Sequence, residues 1–242
     1  MTPPVLQIKE VLGLTDQGRS LPLKCIAEDG SLYFVKGQQT NRASLWREWV
    51  CGHLAQALGL NVPPFSLVQV PEQLYAELPP ELRQVGCLPA FGSRCHEATG
   101  WLELGMAPSV APAQQRDVLV FDWWVRNTDR LAGNPNLLWD VQHSSMVVID
   151  HNLALAQDFD AAEFLQQHVF RSQWNQLDDF VTRAEYERRL VEALPVARTA
   201  LGTAPEEWLW ENSEFDIPAN FDRQAALDLL SRCATSELWR TV

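Results

Sequence analysis

Residues 121–152 read FDWWVRNTDRLAGNPNLLWDVQHSSMVVIDHN, and the way this stretch divides decides the fold. The helical pattern of VLVFDWWVRN runs into it and stops at the polar run TDRLAGNPN, where Gly133 and Pro135 forbid continuation. NLLWDV and MVVID then form two short apolar strands around a polar QHSS turn, a hairpin that sets Asp150 at the end of its second strand. Four residues separate Asp129 from Asn134, a D-x-x-x-x-N spacing in the loop between helix and hairpin. Singly, each of these residues is an ordinary turn or cap former. Together, on a helix, loop and hairpin, they set three oxygen-bearing side chains in order.

That order suits phosphoryl transfer. A transferred γ-phosphoryl group carries spread negative charge, so its chemistry is mostly positioning plus charge cancellation by Mg2+. Mg2+ takes oxygen ligands in near-octahedral geometry, commonly one or two from protein and the rest from phosphates and water. Asn134 and Asp150 fit as metal ligands, and Asp129 as the group that accepts or orients the proton of an attacking hydroxyl.

Working outward, VLQIKEVLGL, LPLKCIAED and SLYFVKG form a three-strand antiparallel meander joined by TDQGRS and a DG turn. Lys36 closes its last strand. RASLWREWVCGHLAQALGL follows as a helix, with Leu45, Trp49, Leu54 and Leu58 at helical spacing and Gly59 as C-cap. Glu48 lies in its first turns, twelve residues beyond Lys36 and able to pair with it. NVPPFSLVQVPEQL reads as extended and broken by prolines, and LPAFGS either offers the backbone of Pro89, Ala90 and Phe91 to an adenine edge at a hinge or simply forms a turn at Gly92 and Ser93. Asp122 and Arg126 read as an i,i+4 pair on a helix surface, and Trp123 and Trp124 as core. Beyond Asp150 a strand-like piece leads to a helical set, FVTRAEYERRLVEALPVARTAL, APEEWLWEN and FDRQAALDLLSRC, capped by Thr182 and Asp222. The fold class is α+β, with a small antiparallel sheet plus one helix over residues 1–90 and a mostly helical part over 91–242, divided near 86–93.

With 242 residues and 46% apolar content the chain supports a substantial core. It has no apolar run of membrane-spanning length, and MTPPVLQIKE lacks the pattern of a signal peptide, so a cytoplasmic location without membrane insertion is expected. Five cysteines without C-x-x-C spacing read as reduced thiols. A net charge of −12, enriched in acid toward the C-terminal half, disfavours direct nucleic-acid binding.

The order YFVKG (33–37), LWREWVCGHLAQALGLNVPP (45–64), NTDRLAGNPN (127–136) and VVIDH (147–151) resembles the HipA-like serine/threonine kinases over roughly residues 8–155. It is similar, more distantly, to the D-R-x4-N loop of phosphatidylinositol kinases. The resemblance implies a two-lobed protein-kinase-like fold, use of ATP and Mg2+, and transfer to a serine or threonine hydroxyl of a protein. By position, Lys36 would contact ATP phosphates and Glu48 would anchor it, Asp129 would be the catalytic aspartate, and Asn134 and Asp150 would bind Mg2+. The chain departs from the pattern in several places. It begins almost at the first kinase strand, as a minimal version, and has no G-x-G-x-x-G, leaving Gly13, Gly18 and Ser20 for a nucleotide loop. Ser20 would be an autophosphorylation site by analogy. Thr128 precedes Asp129 where H-R-D has arginine, and IDH stands in place of DFG, so neither activation-loop control nor a Phe-driven switch is expected.

Two other readings stand beside a protein kinase. One keeps the mechanism and changes the acceptor to a small molecule or lipid headgroup, with acidic charge favouring cationic small acceptors. The other is a nucleotide-binding but inactive interaction module, motivated by the poor glycine loop and ten tryptophans. A regulatory or antitoxin-like protein is a further candidate partner.

Overall fold

The structure is a computed structural model, and it describes residues 3–15, 21–96, 99–103, 105 and 109–241. The chain forms two compact units. The first comprises residues 1–49, 63–96 and 202–221, and the second residues 50–62, 97–201 and 222–242.

The first unit is built on a closed five-strand barrel, in the order β1-β2-β3-β5-β4. The meander is β1 (Val5–Leu14), β2 (Leu23–Ala27) and β3 (Leu32–Lys36), antiparallel as read. β4 (Phe65–Gln69) pairs antiparallel with β5 (Ala90–Arg94) and parallel with β1, which closes the sheet. Alternate side chains of β2 point inward, and Leu23, Cys25 and Ala27 join Ile8, Tyr33, Val35 and Val68 in the core. A division at residue 90 would fall at the first residue of β5, whose pairing with β3 holds it in this barrel. The unit instead runs on to His96.

Between β3 and β4 lies α1 (Arg42–Ala57). Asn41 accepts the Ser44 N–H on its side-chain oxygen at 2.8 Å, which satisfies one of the free donors at the helix start. At the other end Gly59 takes φ 77°, and the Leu60 N–H donates to the Ala55 carbonyl at 2.9 Å, the expected glycine cap. PEQL, read as extended, belongs instead to a short helix, α2 (Glu72–Glu77): Pro71 at its N-cap lacks only an N–H that a helix start leaves unpaired.

APEEWLWEN contains only a four-residue 3-10 turn, Glu206–Leu209, rather than a packed helix. Its role is tryptophan packing within the first unit. Trp208 is fully buried, donates Nε1–H to the Pro89 carbonyl at 2.7 Å, and accepts Trp46 Nε1–H on its own carbonyl at 2.9 Å. Trp46 also stacks on Phe221 at 5.3 Å between ring centroids.

The second unit holds α3 (Pro112–Val125) and a three-strand sheet, β6 (Thr99–Trp101), β7 (Leu137–Asp140) and β8 (Ser145–Val148). β7 and β8 are the hairpin read from the sequence. Trp123 and Trp124 are core, their indole N–H groups donating to the carbonyls of Leu238 at 2.5 Å and Leu230 at 2.8 Å. The segment after Asp150 forms no strand; it leads into α4 (Ala161–Gln167). α5 (Phe180–Thr203) is capped by Asp179, whose carboxylate accepts both the N–H and the hydroxyl of Thr182 at 2.8 Å, so Thr182 is the capped residue and not the cap. α6 (Arg223–Ser231) starts at Asp222 as read.

Candidate active site

In the first unit, strand alternation places Tyr33 and Val35 inward, and Lys36 follows them into the interior with only 8% of its surface exposed. A buried ammonium needs a counter-charge. Glu48, 2% exposed and in the second turn of α1, supplies it through a short ion pair with Lys36. Gly37 follows, and a Cβ there would lie 2.2 Å from the Val85 carbonyl oxygen. The close approach is fixed by the Gln38 N–H, which donates to that same oxygen at 2.9 Å. Glycine is therefore required directly after the lysine.

In the second unit the geometry begins inside α3. Asp122 sits in the apolar run FDWWV with none of its surface exposed. It does not pair with Arg126, which caps α3 in the left-handed region and lies 5.5 Å over the Phe159 ring. Asp122 instead meets the Nε–H of Arg130 at 2.5 Å, the Nε2 of His168 at 3.0 Å and the amide of Asn127 at 3.0 Å. Burial pushes its carboxyl up, but the Arg130 charge and the His168 hydrogen bond outweigh that and hold it at about 2. His168 is itself pushed down by burial. Its Nδ1 accepts the Phe170 N–H at 3.1 Å, which requires a lone pair there and makes the ring neutral with its proton on Nε2.

This buried cluster holds the loop above it. Asn127 Oδ1 accepts the Asp129 N–H at 3.3 Å. The half-buried Asp129 also receives the Asn136 side-chain amide twice, on its carboxylate at 2.9 Å and on its carbonyl at 3.1 Å. Asn136 is 5% exposed and takes φ 48°, a left-handed conformation that asparagine tolerates better than most residues. Its carbonyl accepts the Ile149 N–H at 3.2 Å, bringing the loop beside Asp150, which has φ 58°. Asn136 and Asp150 thus both take left-handed backbone conformations, joined through the bond between Asn136 and Ile149.

Asn134 is placed differently. It is exposed, and its backbone closes a tight turn with Leu131 through N–H to carbonyl bonds of 3.1 and 3.2 Å. Ala90 and Phe91 lie inside β5, paired with Val68 and Leu67, and the Pro89 carbonyl is taken by Trp208. The backbone offered to an adenine edge is thus largely engaged in the fold. Gly18 and Ser20 lie outside the described residues. Sequence reasoning missed Asp122, Asn127, Arg130, Asn136 and His168. The signal for Asp122 was present, since a carboxylate between Phe121 and Trp123 on a core helix face needs a buried partner.

Among the described residues, no group of three or more His, Cys, Asp and Glu side chains is disposed to hold a metal. Asn136 and Asp150 offer instead an amide oxygen and a carboxylate, a hard oxygen set that suits a divalent cation shared with phosphates. The Asn136 amide N–H groups are spent on Asp129, so its oxygen is the atom it could offer to a cation. The donor set present therefore fits a hard divalent cation.

The fold is similar to that of solved kinases. A proinflammatory kinase of Helicobacter pylori, CtkA, superposes with a TM-score of 0.58 at 11% identity, covering 97% of this chain and 96% of that one. The Golgi casein kinase with Mn/ADP bound gives 0.51 at 11% identity, covering 98% of this chain and 73% of that one. No curated protein matches by sequence. The family model described as HipA-like kinase matches residues 8–242, nearly the whole length. The chain belongs to the HipA-like kinase family.

Proposed function

We propose that this kinase transfers the γ-phosphoryl group of ATP, with Mg2+, to a serine or threonine hydroxyl of a protein. The observation that carries the reading is the Asn136 amide fixed on both the carboxylate and the carbonyl of Asp129, with Asp150 one residue beyond the backbone bond between Asn136 and Ile149. The bound nucleotide and Mn named for the Golgi casein kinase support the choice of cofactors.

In this reading the acceptor hydroxyl oxygen attacks the γ-phosphorus. Its bond to the bridging oxygen of ADP breaks, and the hydroxyl proton passes to the Asp129 carboxylate. Asn136 holds that carboxylate, and Asn127 holds the Asp129 backbone through its N–H, before the reaction, so little reorganisation is spent on it. Asp150 and Asn136 would hold Mg2+, with Asn134 the alternative ligand that the D-x4-N spacing suggests, and the bound ion would supply cancellation of phosphate charge. By the kinase resemblance Lys36 would contact the phosphates, its side chain held by the ion pair with Glu48.

The test is incubation of the purified chain with γ-labelled ATP and Mg2+, alone and with a cell extract, followed by phosphoamino-acid analysis. Label on serine or threonine of the chain or of an extract protein is expected. Label only on a small molecule would replace the protein acceptor by a small one. Bound ATP with no transfer would make the chain an inactive nucleotide-binding module.

A further inference from the structure

Arg130, next in sequence to Asp129, is completely buried. Its guanidinium donates to Asp122 through Nε at 2.5 Å and Nη2 at 3.4 Å. Its Nη1 donates to three main-chain carbonyls: Pro135 at 3.1 Å, Asn136 at 2.7 Å and Ile149 at 3.3 Å. Those carbonyls belong to Asn136 itself, to the residue before it, and to the residue before Asp150. One rigid planar group therefore ties the two metal-ligand candidates to one anchor on α3.

Charge balance alone does not account for this arrangement. An ammonium would neutralise Asp122 as well, but as a compact point charge it does not reach a carboxylate on one side and three carbonyls on the other. The carbonyl side of the fork bears on the spacing between Asn136 and Asp150. Both of those residues sit in left-handed backbone conformations, which persist only where their surroundings enforce them.

We infer that Arg130 is a positioning residue: its Nη1 bonds to the carbonyls of Pro135, Asn136 and Ile149 set the separation of Asn136 and Asp150, and so the affinity of the loop for a divalent cation. The inference rests on the kinase reading above. Arg130 touches neither substrate nor metal in this role and acts through the two ligands.

The test is Mn2+ binding to the full chain in the presence of a non-hydrolysable ATP analogue, followed by electron paramagnetic resonance. Three proteins are compared: wild type, Arg130→Lys, and Leu229→Ala, a buried truncation on α6 that lowers stability without touching the loop. Arg130→Lys is expected to weaken Mn2+ binding tenfold or more while Leu229→Ala stays within twofold of wild type. Unchanged affinity in Arg130→Lys, or equal weakening in Leu229→Ala, would overturn the inference while leaving the kinase reading intact. Absence of nucleotide-dependent Mn2+ binding in wild type would overturn both. A second measurement needs no variant to fold. In the nucleotide-saturated wild-type chain with 15N-labelled arginine, added Mg2+ should shift the Arg130 Nε resonance and leave that of Arg189 on α5 in place; an unmoved Arg130 signal would also overturn the inference.

Discussion

His168 gives the most exposed prediction, because its sign is fixed by geometry. Its Nδ1 accepts the Phe170 N–H and its Nε2–H faces Asp122, so a second proton would have to break the Phe170 bond. Burial accordingly lowers its pKa below the ordinary 6.5. A basic group kept neutral in the fold is protonated first in the unfolded chain. Unfolding therefore takes up a proton below pH 6.5, and stability falls as pH falls until the lowered native pKa is reached. The slope from this one ring is about 1.4 kcal/mol per pH unit, or roughly 3–6 °C of Tm in a chain of this size. Asp122 adds nothing to this window, since its native pKa of about 2 keeps it ionised and its contribution is lost only at lower pH. The assay is thermal melting from pH 7.5 to 4.5, comparing wild type with His168→Gln, which retains a donor toward Asp122. The wild type should lose Tm more steeply below pH 6.5 by the stated amount. Parallel curves, or a wild type that gains relative stability in acid, would refute the account of a neutral, buried His168.

Lys36→Met and Glu48→Gln should each abolish phosphoryl transfer and each destabilise by about 3–5 kcal/mol in urea denaturation, as breaking a buried pair does, while Lys36→Met/Glu48→Leu recovers most of the stability and none of the activity. Asn136→Ala should raise the Mg2+ concentration needed for half-maximal transfer at least tenfold; Asn134→Ala, on an exposed turn, should change it less than twofold. Gly37→Ala forces its Cβ against the Val85 carbonyl and should cost about 1–3 kcal/mol in the same urea titration, with a raised KM for ATP because Lys36 is the preceding residue.

Much of this molecule is legible from sequence where local pattern and tertiary contact agree. Strand alternation, the capped helix from Arg42, the glycine at 59 and the loop-hairpin from Thr128 to Asp150 are all local signals. The pairing of Lys36 with Glu48 followed from placing a strand lysine before a helix glutamate. What escaped was long-range. β5 joins the barrel through pairing with β3 and β4, which is why LPAFGS, read alone, offers its backbone to an adenine edge rather than to two neighbouring strands. Trp208 packs on Trp46, 162 residues away in sequence, which no helical or strand period reveals. The choice between Asn134 and Asn136 turns on which backbone conformation the loop adopts after Pro135. Asp122 looked like half of an i,i+4 surface pair because Arg126 stands at that spacing. The actual partner, Arg130, lies beyond the helix end, where the chain has turned back.

Phosphoryl transfer by the Asp129→Asn chain tests the central claim most directly. The variant keeps a polar side chain at the position that Asn136 and Asn127 hold, but it has no carboxylate to take a proton. The account predicts a loss of transfer from ATP of at least a hundredfold, in line with removal of a positioned general base, with nucleotide binding and Tm close to wild type. Transfer by the variant at the wild-type rate would contradict it.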